Sequence, residues 1–360
     1  MPDPKFAKPW HGIPREEIHW NPTINEAVCI GCGTCVTGCG RLVYRFDFQR
    51  MKAVVYDPLN CLIACKTCAN TCPTNAISFP PLETVWSRLA DPPVHHHVED
   101  ELLSRKDQLM LNDFPPEEER KHLVVREIRK ISPRNMVVFL RPANDGDCTC
   151  DFIPGQYMWL FVPGKPWLPR AYSIASAPKP DGTLELVFRR VEGGRFTTWA
   201  FEQMKEGDEI TAVGPMGEFS LKSPKDKPLL FVARGTGFAP IKAILEKDLE
   251  ENPERDAILY WGVTDTDDFF DLDLLEQWVR TKPNFRVVLA ARNVSPGFTP
   301  PEGIDFQQGT CYGALEKSDL DIRDRDVYVA GPGKTVKNIL AVLDKKGVPK
   351  ERRFIDSFGG

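Results

Sequence analysis

From Lys121 to about Leu221 apolar and polar positions alternate in short runs, such as Leu184-Glu185-Leu186-Val187-Phe188, with Pro, Gly and Asp in the gaps. Alternation of period two puts every second side chain on a buried face, so these runs predict antiparallel strands of a small barrel or sandwich. Gln156–Val162 reads as another such strand. Past Lys227 the pattern changes. Unbroken apolar runs (Leu229–Val232, Ile258–Trp261, Arg286–Leu289, Val327–Ala330) are separated by stretches of helical spacing, which predicts a parallel sheet flanked by helices. Between Val98 and Leu111, Leu102, Leu103, Leu109 and Met110 recur among charges at helical intervals, inside a region punctuated by Pro92-Pro93 and Pro115-Pro116. The chain ahead of Pro81 is turn-rich. The pattern therefore divides the molecule into a head at 21–81, a linker with one helix at 82–118, an antiparallel β domain at 119–223 and a parallel α/β domain at 224–360.

Length agrees: 360 residues make two to three domains at roughly 150 residues each. With 46 Lys and Arg against 51 Asp and Glu the net charge is −5, which does not advertise a nucleic-acid partner. The longest apolar runs, such as Pro228–Ala233, are strand-sized and far short of the roughly 18 residues a membrane span needs. Prolines, a Trp and charges stand where a secretory signal would need an apolar core, so a cytoplasmic location is expected.

Cysteine changes the picture most. Eleven Cys in such a chain argue for metal or redox chemistry rather than a disulfide frame, and eight of them fall between Cys29 and Cys72. Cys29, Cys32, Cys35 and Cys39 follow C-x2-C-x2-C-x3-C, and Cys61, Cys65, Cys68 and Cys72-Pro73 repeat the run with one extra residue after Cys61. Zinc also takes four thiolates, but its ligands come in pairs across a longer loop, not as a tight triplet plus one. This spacing resembles the bacterial two-cluster ferredoxins and implies two [4Fe–4S] clusters. In that family the fourth Cys of each run ligates the other cluster. Cys29, Cys32, Cys35 and Cys72 would then hold one, and Cys61, Cys65, Cys68 and Cys39 the other. Gly31, Gly33 and Ala64 are small enough to let backbone N–H groups approach the sulfides. Gly40 follows Cys39 where the ferredoxin pattern has Pro.

After the strand Gln156–Val162 comes Arg170-Ala171-Tyr172-Ser173. Here the chain resembles the ferredoxin–NAD(P) reductase superfamily, whose flavin motif is Arg-x-Tyr-Ser. The resemblance implies that Tyr172 covers the isoalloxazine face, Ser173 reaches its N5 edge and Arg170 holds phosphate, with Tyr172 and Ser173 nearest the chemistry. Gly193-Gly194-Arg195-Phe196-Thr197-Thr198 resembles the family's second flavin-phosphate element, glycines and a helix start offering amides to an anion. Gly214-Pro215-Met216-Gly217-Glu218-Phe219 matches the stretch that closes the barrel, and favours FAD over FMN.

Strand Leu229–Val232 leads into Gly235-Thr236-Gly237-Phe238-Ala239-Pro240, which resembles the superfamily's nucleotide loop, with Gly235, Thr236, Gly237 and Pro240 at the pyrophosphate. Tyr260-Trp261-Gly262-Val263 also matches, and Ala330-Gly331-Pro332 occupies the place of the family's Cys-Gly-Pro, with Ala330 replacing the Cys. Arg292 stands where NADPH forms place a Ser-Arg pair, whereas Asp265, Asp267 and Asp268 stand where acid favours NADH, so either nucleotide fits. An aromatic near the C-terminus stacks on the flavin in this superfamily, which points to Phe358 or Phe354, with a surface-packed strand end as the alternative.

Other features read as structural. His95-His96-His97 reads as solvated linker, Cys148 and Cys150 as a loop thiol pair, and Cys311 as a buried thiol. The resemblance implies a reductase that passes electrons from NADH or NADPH through FAD and two clusters to a downstream redox protein or oxygenase component. The reverse direction, and a non-catalytic relay subunit favoured by Ala330, stay open.

Overall fold

The computed structural model describes residues 4–6, 8–89, 92–109, 119–144, 151–165 and 169–358, so Cys148 and Cys150 lie outside the described residues. The chain forms two compact units, Met1–Leu111 and Asn112–Gly360.

In the first unit β1 (Thr23–Ile24) pairs antiparallel with β4 (Ile77–Ser78), and β2 (Tyr44–Asp47) with β3 (Lys52–Val55). The β1–β4 pairing brings the end of the second cysteine run back beside the start of the first. Two single-turn helices, α1 (Thr34–Thr37) and α2 (Thr67–Asn70), carry the third cysteine of each run. Ile18, Trp20, Val43, Tyr44, Cys61, Ile77 and Val85 form one buried core beneath them. The extra residue of the second run is absorbed by Ala64, which takes a left-handed backbone at φ 63°, as Gly31 does at φ 71° immediately before Cys32. Gly31 has no substitute, because a Cβ there would lie 2.1 Å from the Met51 carbonyl oxygen.

The stretch expected to be a linker with one helix carries three: α3 (Glu83–Leu89), α4 (Pro92–Ser104) and α5 (Lys106–Leu109). Pro92-Pro93 begins α4 instead of breaking it, since the first turn of a helix has no use for the missing N–H. This stretch belongs to the first unit, and α4 touches the N-terminal segment, where a Cβ on Gly12 would sit 3.1 Å from the His97 ring.

The second unit opens with β5 (Lys121–Lys130), β6 (Asn135–Pro142), β7 (Tyr157–Phe161), β8 (Arg170–Ser173), β9 (Leu184–Arg189) and β10 (Glu209–Met216). They pair antiparallel in the order β8-β7-β10-β5-β6-β9. A bridge from Ile174 to Leu186 draws the two edges together, so the sheet curls as the alternation predicted. Helix α6 (Arg195–Glu202) seats Phe196, Trp199 and Ala200 in the curl.

Six strands follow: β11 (Leu229–Arg234), β12 (Ala257–Asp265), β13 (Phe285–Asn293), β14 (Asp305–Gln308), β15 (Asp326–Pro332) and β16 (Arg353–Phe358). All pair parallel in the order β14-β13-β12-β11-β15-β16. Helices α7 (Phe238–Glu251), α8 (Leu272–Thr281), α9 (Cys311–Lys317) and α10 (Gly333–Lys345) cover the faces. The strand order reverses between β11 and β15, and the carboxyl ends of such strands are where open α/β sheets bind ligands. Val137, Ala175 and Val187 of the curled sheet share one core with β11, β12 and α7, so the two halves pack as one body. Buried charges fasten the same seam. Lys242 of α7 pairs with Glu185 of β9 and lies 2.8 Å from Asp271, which Arg129 of β5 meets at 2.7 Å.

Candidate redox centres

The crossing of the chain gathers the eight clustered cysteines in two groups. Cys29, Cys32, Cys35 and Cys72 line one hollow, with Ile24, Gly33, Thr34 and Thr74 among the other walls. The second group is Cys39, Cys61, Cys65 and Cys68, where Cys61 is influenced electrostatically by the other three. These are the sets that the ferredoxin resemblance implies. Burial pushes the Cys61 thiol up to about 12 and the Cys35 thiol up to about 11, neighbouring cysteines adding to the rise. Cys32, which is exposed, moves the other way because Thr34 hydrogen-bonds its sulfur. Cys35, Cys61 and Cys68, whose thiols burial pushes up, need a bound cation to be held as thiolates, which is the chemistry of metal ligation. Donors are already aimed at several sulfurs: the Ala76 amide at Cys72 Sγ (3.3 Å) and the Tyr44 hydroxyl at Cys68 Sγ (3.0 Å). The residues fit iron–sulfur clusters.

In the curled sheet Arg170, Tyr172 and Ser173 stand on β8, with Ser173 opposite Tyr157 of β7. The half-buried Tyr172 ring leans on Phe188 (centroids 4.3 Å apart) and Phe196 (5.2 Å), and burial raises its hydroxyl pKa. Gly193 takes φ 70° at the turn into α6, and a Cβ on Gly194 would press on the Thr197 hydroxyl at 2.8 Å. Two residues assigned to the flavin phosphate turn inward. Phe196 buttresses Tyr172 from the core, and the Thr197 hydroxyl is engaged by the Val191 backbone and the Gly194 carbonyl. Arg195 and Thr198 stay at the partly exposed helix start beside Gly194. The glycine turn and the aromatic wall fit a flavin.

Gly235, Thr236 and Gly237 form a helical turn between β11 and α7 at the reversal of strand order. A Cβ on Gly237 would sit 2.2 Å from the Ala330 carbonyl oxygen, so only glycine lets this loop lie against β15. Pro240 is buried in the first turn of α7, and Gly331 and Pro332 end β15 beside the loop. Ala330 is wholly buried in the core. Phe358 pairs with Pro332 in the β15–β16 register, at this same end of the sheet, whereas Phe354 stacks on Tyr328 (4.6 Å) inside the core. Of the two aromatics, Phe358 is therefore the one at the carboxyl ends of the strands. Cys311 is wholly buried beneath Gly262 in a separate core cluster, as a buried thiol should be.

Three family models match in chain order: a 4Fe-4S dicluster domain over residues 28–81, an oxidoreductase FAD-binding domain over 122–221 and an oxidoreductase NAD-binding domain over 231–339. The chain is 30% identical to the toluate 1,2-dioxygenase electron transfer component of Pseudomonas putida over 65% of its own length and 66% of that protein. It is 29% identical to the propane 2-monooxygenase reductase component of Mycolicibacterium goodii, over 72% of each. A crystal structure of an Amycolatopsis cytochrome P450 reductase superposes with a TM-score of 0.60 at 28% identity, covering 67% of this chain and 70% of that one. The chain belongs to the ferredoxin–NAD(P) reductase superfamily. It carries a 4Fe-4S domain ahead of the flavin and nucleotide domains and is an NAD(P)H-dependent oxidoreductase.

Within this reductase, the acids read as a preference for NADH have another task. Asp268 is buried and receives Ser132 Oγ and Arg134 at 2.8 Å each, and Asp265 is engaged by Arg134 and Asn293. These bonds staple β12 to the turn after β5, so neither carboxylate is free for a ribose; Asp267 alone of the three is exposed. Sequence reasoning missed two groups here. Arg234, at the end of β11, packs its Cβ against Gly331, donates to Thr264 Oγ1 at 2.7 Å and leaves Nη1 buried without a partner among the described residues. Arg189 reaches Gly235 from the barrel, and with Arg292 these guanidiniums repel one another. A phosphate would relieve that repulsion. A basic residue directly before Gly-Thr-Gly was the legible signal.

The other missed group is Asp356, opposite Ala330 in β16. Burial pushes its carboxyl up to about 6 from the ordinary 3.8. The fold therefore binds a proton that the unfolded chain releases between those values, and stability falls as pH rises through about 4 to 6 and then levels. Asp356→Asn is expected to stabilise the protein by about 1–3 kcal/mol at pH 8 and about half that at pH 5, read by chemical denaturation at the two pH values. Equal effects at both would refute the assignment.

Among the described residues no helix is long and apolar enough to cross a membrane.

Proposed function

We propose that the chain is a self-contained conductor from NAD(P)H to a partner oxygenase component, with FAD and two [4Fe–4S] clusters between them. In this reading 21–81 hold the clusters, 119–223 the flavin and 224–360 the nucleotide. The observation that carries it is the hollow ringed by Cys29, Cys32, Cys35 and Cys72, in one chain with the Gly235–Gly237 loop and the Arg170–Ser173 strand. When bound, the flavin converts a two-electron hydride into single electrons that clusters can carry one at a time. The protein's own part is positioning. Gly235, Thr236, Gly237 and Pro240 shape a loop at the start of α7 that suits pyrophosphate, with Arg189, Arg234 and Arg292 as counter-charge. Gly331 and Pro332 line the end of β15 where a nicotinamide would lie, and Phe358 closes that end. Tyr172, buttressed by Phe188 and Phe196, presents a face for the isoalloxazine ring, with Ser173 beside it. Arg170, Gly193, Gly194, Arg195 and Thr198 serve the flavin's phosphates.

Fusing the clusters to the reductase replaces a bimolecular encounter with a high effective concentration. The relatives named for dioxygenase and monooxygenase systems support the outward direction and an oxygenase as the acceptor.

The test is an anaerobic reductive titration of reconstituted protein with NADH and then NADPH, following the flavin by absorbance and the clusters by EPR. One nucleotide should bleach the flavin and bring up reduced [4Fe–4S] signals. A reduced flavin with oxidised clusters would reverse the direction. A flavin untouched by both nucleotides would leave a relay subunit.

A further inference from the structure

The two cysteine groups differ in what surrounds them. Cys32 of the first is exposed. The second sits over the unit's core, with Cys61 buried, and two buried side chains address it, whereas the sulfurs of the first meet the Ala76 amide and the Thr34 and Thr74 hydroxyls. Tyr44, 2% exposed, donates its hydroxyl to Cys68 Sγ at 3.0 Å. Arg15, 4% exposed, is folded under the same ring by the segment that precedes β1. Its guanidinium donates to the carbonyls of Cys61 (3.3 Å), Ile18 (2.6 Å) and Trp20. Among the described residues it makes no ion pair with a carboxylate. The cationic neighbour of the first group, Lys52, binds the Glu26 and Cys29 carbonyls from a half-exposed position.

A buried guanidinium without a carboxylate is costly unless some other negative charge offsets it. Four thiolates outweigh the positive charge of the core they hold, so a loaded site is anionic, and it is more so after reduction. Carbonyls satisfy the N–H groups of Arg15, and the nearby charges of Glu16 and Arg41 act on it in opposite directions; a cluster on Cys39, Cys61, Cys65 and Cys68 would supply the negative charge beside it. Hydrogen bonds to ligand sulfur and nearby positive charge both favour the reduced state, because each interaction strengthens as negative charge accumulates.

We propose that Tyr44 and Arg15 are tuning residues that raise the reduction potential of the second cluster selectively, making it a place where the electron rests. The proposal rests on the two-cluster reading above. It concerns the potential of one cluster, not assembly.

The experiment is an EPR-monitored potentiometric titration of the full chain after reconstitution, with iron and sulfide measured on every sample. Tyr44→Phe keeps the ring and its packing and removes only the hydroxyl. It should lower the reduced fraction of one cluster about threefold to tenfold at fixed potential, the larger figure corresponding to about 59 mV for one electron. The other cluster should not move. Arg15→Gln should shift the same signal in the same direction and by more, and Arg15→Lys should restore part of it. Assignment comes from Cys32→Ser, which perturbs the first cluster, so the signal it alters must be the one that Tyr44→Phe leaves alone. Full iron in both variants with unchanged potentials would overturn the proposal, as would equal shifts of both clusters. Wild-type protein holding iron for fewer than two clusters would instead overturn the two-cluster reading, and the proposal with it. Should Arg15→Gln fail to fold, Tyr44→Phe decides alone.

Discussion

Replacing Cys72 by alanine is expected to remove the cluster associated with Cys29, Cys32 and Cys35, not the one built on the three cysteines of its own run. The reason lies in the backbone. Thr23 pairs with Ser78 and Ile24 with Ile77, so the chain just beyond Cys72 lies beside the chain just before Cys29. Cys72 therefore lines the hollow with the first run, and the Ala76 amide points at its sulfur from the returning strand. Reconstituted Cys72→Ala should hold about half the wild-type iron and lose one of two EPR signals. Combinations make the assignment. Adding Cys32→Ala to Cys72→Ala should cost no further iron, because both residues serve one cluster. Adding Cys65→Ala should remove what remains. The opposite pattern, in which Cys72 and Cys65 behave as partners, would refute the crossing. Chelation should mimic the double loss and lower the stability of residues up to Leu111 together, since the site is part of their core.

The cysteine spacing, the Arg-x-Tyr-Ser strand and the Gly-Thr-Gly turn were legible because each is a local arrangement that tolerates few alternatives. Gly237 illustrates this: only a residue without a Cβ fits 2.2 Å from the Ala330 oxygen, so the motif and the packing are one fact. The central strands of the parallel sheet were legible from their unbroken apolar runs for the same reason. What stayed hidden depends on long-range contact. Asp265 and Asp268 looked like ribose-binding acids at the end of β12, yet Arg134, more than a hundred residues earlier, claims them both. Nothing at Arg15 or Tyr44 suggests a partner near Cys61 or Cys68 until the chain is folded. Pro92-Pro93 misled because the same residue that breaks a helix interior is welcome in a first turn. β14 escaped because its pattern is weak: of Asp305–Gln308 only Phe306 is apolar.

Lys242→Met is expected to be the most damaging single change in the second unit. Lys242 is 3% exposed and faces two carboxylates, Glu185 from the barrel and Asp271 from the loop before α8. Those carboxylates hold its ammonium pKa above the ordinary value despite burial, so the lysine is charged throughout the working range. Removing it leaves two buried carboxylates with, among the described residues, Arg129 and Lys179 as their remaining ion-pair partners. The loss should be about 3–5 kcal/mol, the usual consequence of orphaning a buried charge. Thermal unfolding followed by flavin fluorescence should record it as a lower midpoint. The network does not have to be a source of net stability for this to hold, because the desolvation of all three groups opposes their attraction. That distinction is testable. A triple variant, Glu185→Gln, Lys242→Met and Asp271→Asn, removes every charge at once, and asparagine suits the left-handed backbone of Asp271 at φ 53°. It should recover most of the stability lost by Lys242→Met alone. If the triple variant is as unstable as the single one, the lysine acts through its packing between β9 and α8 and not through its charge.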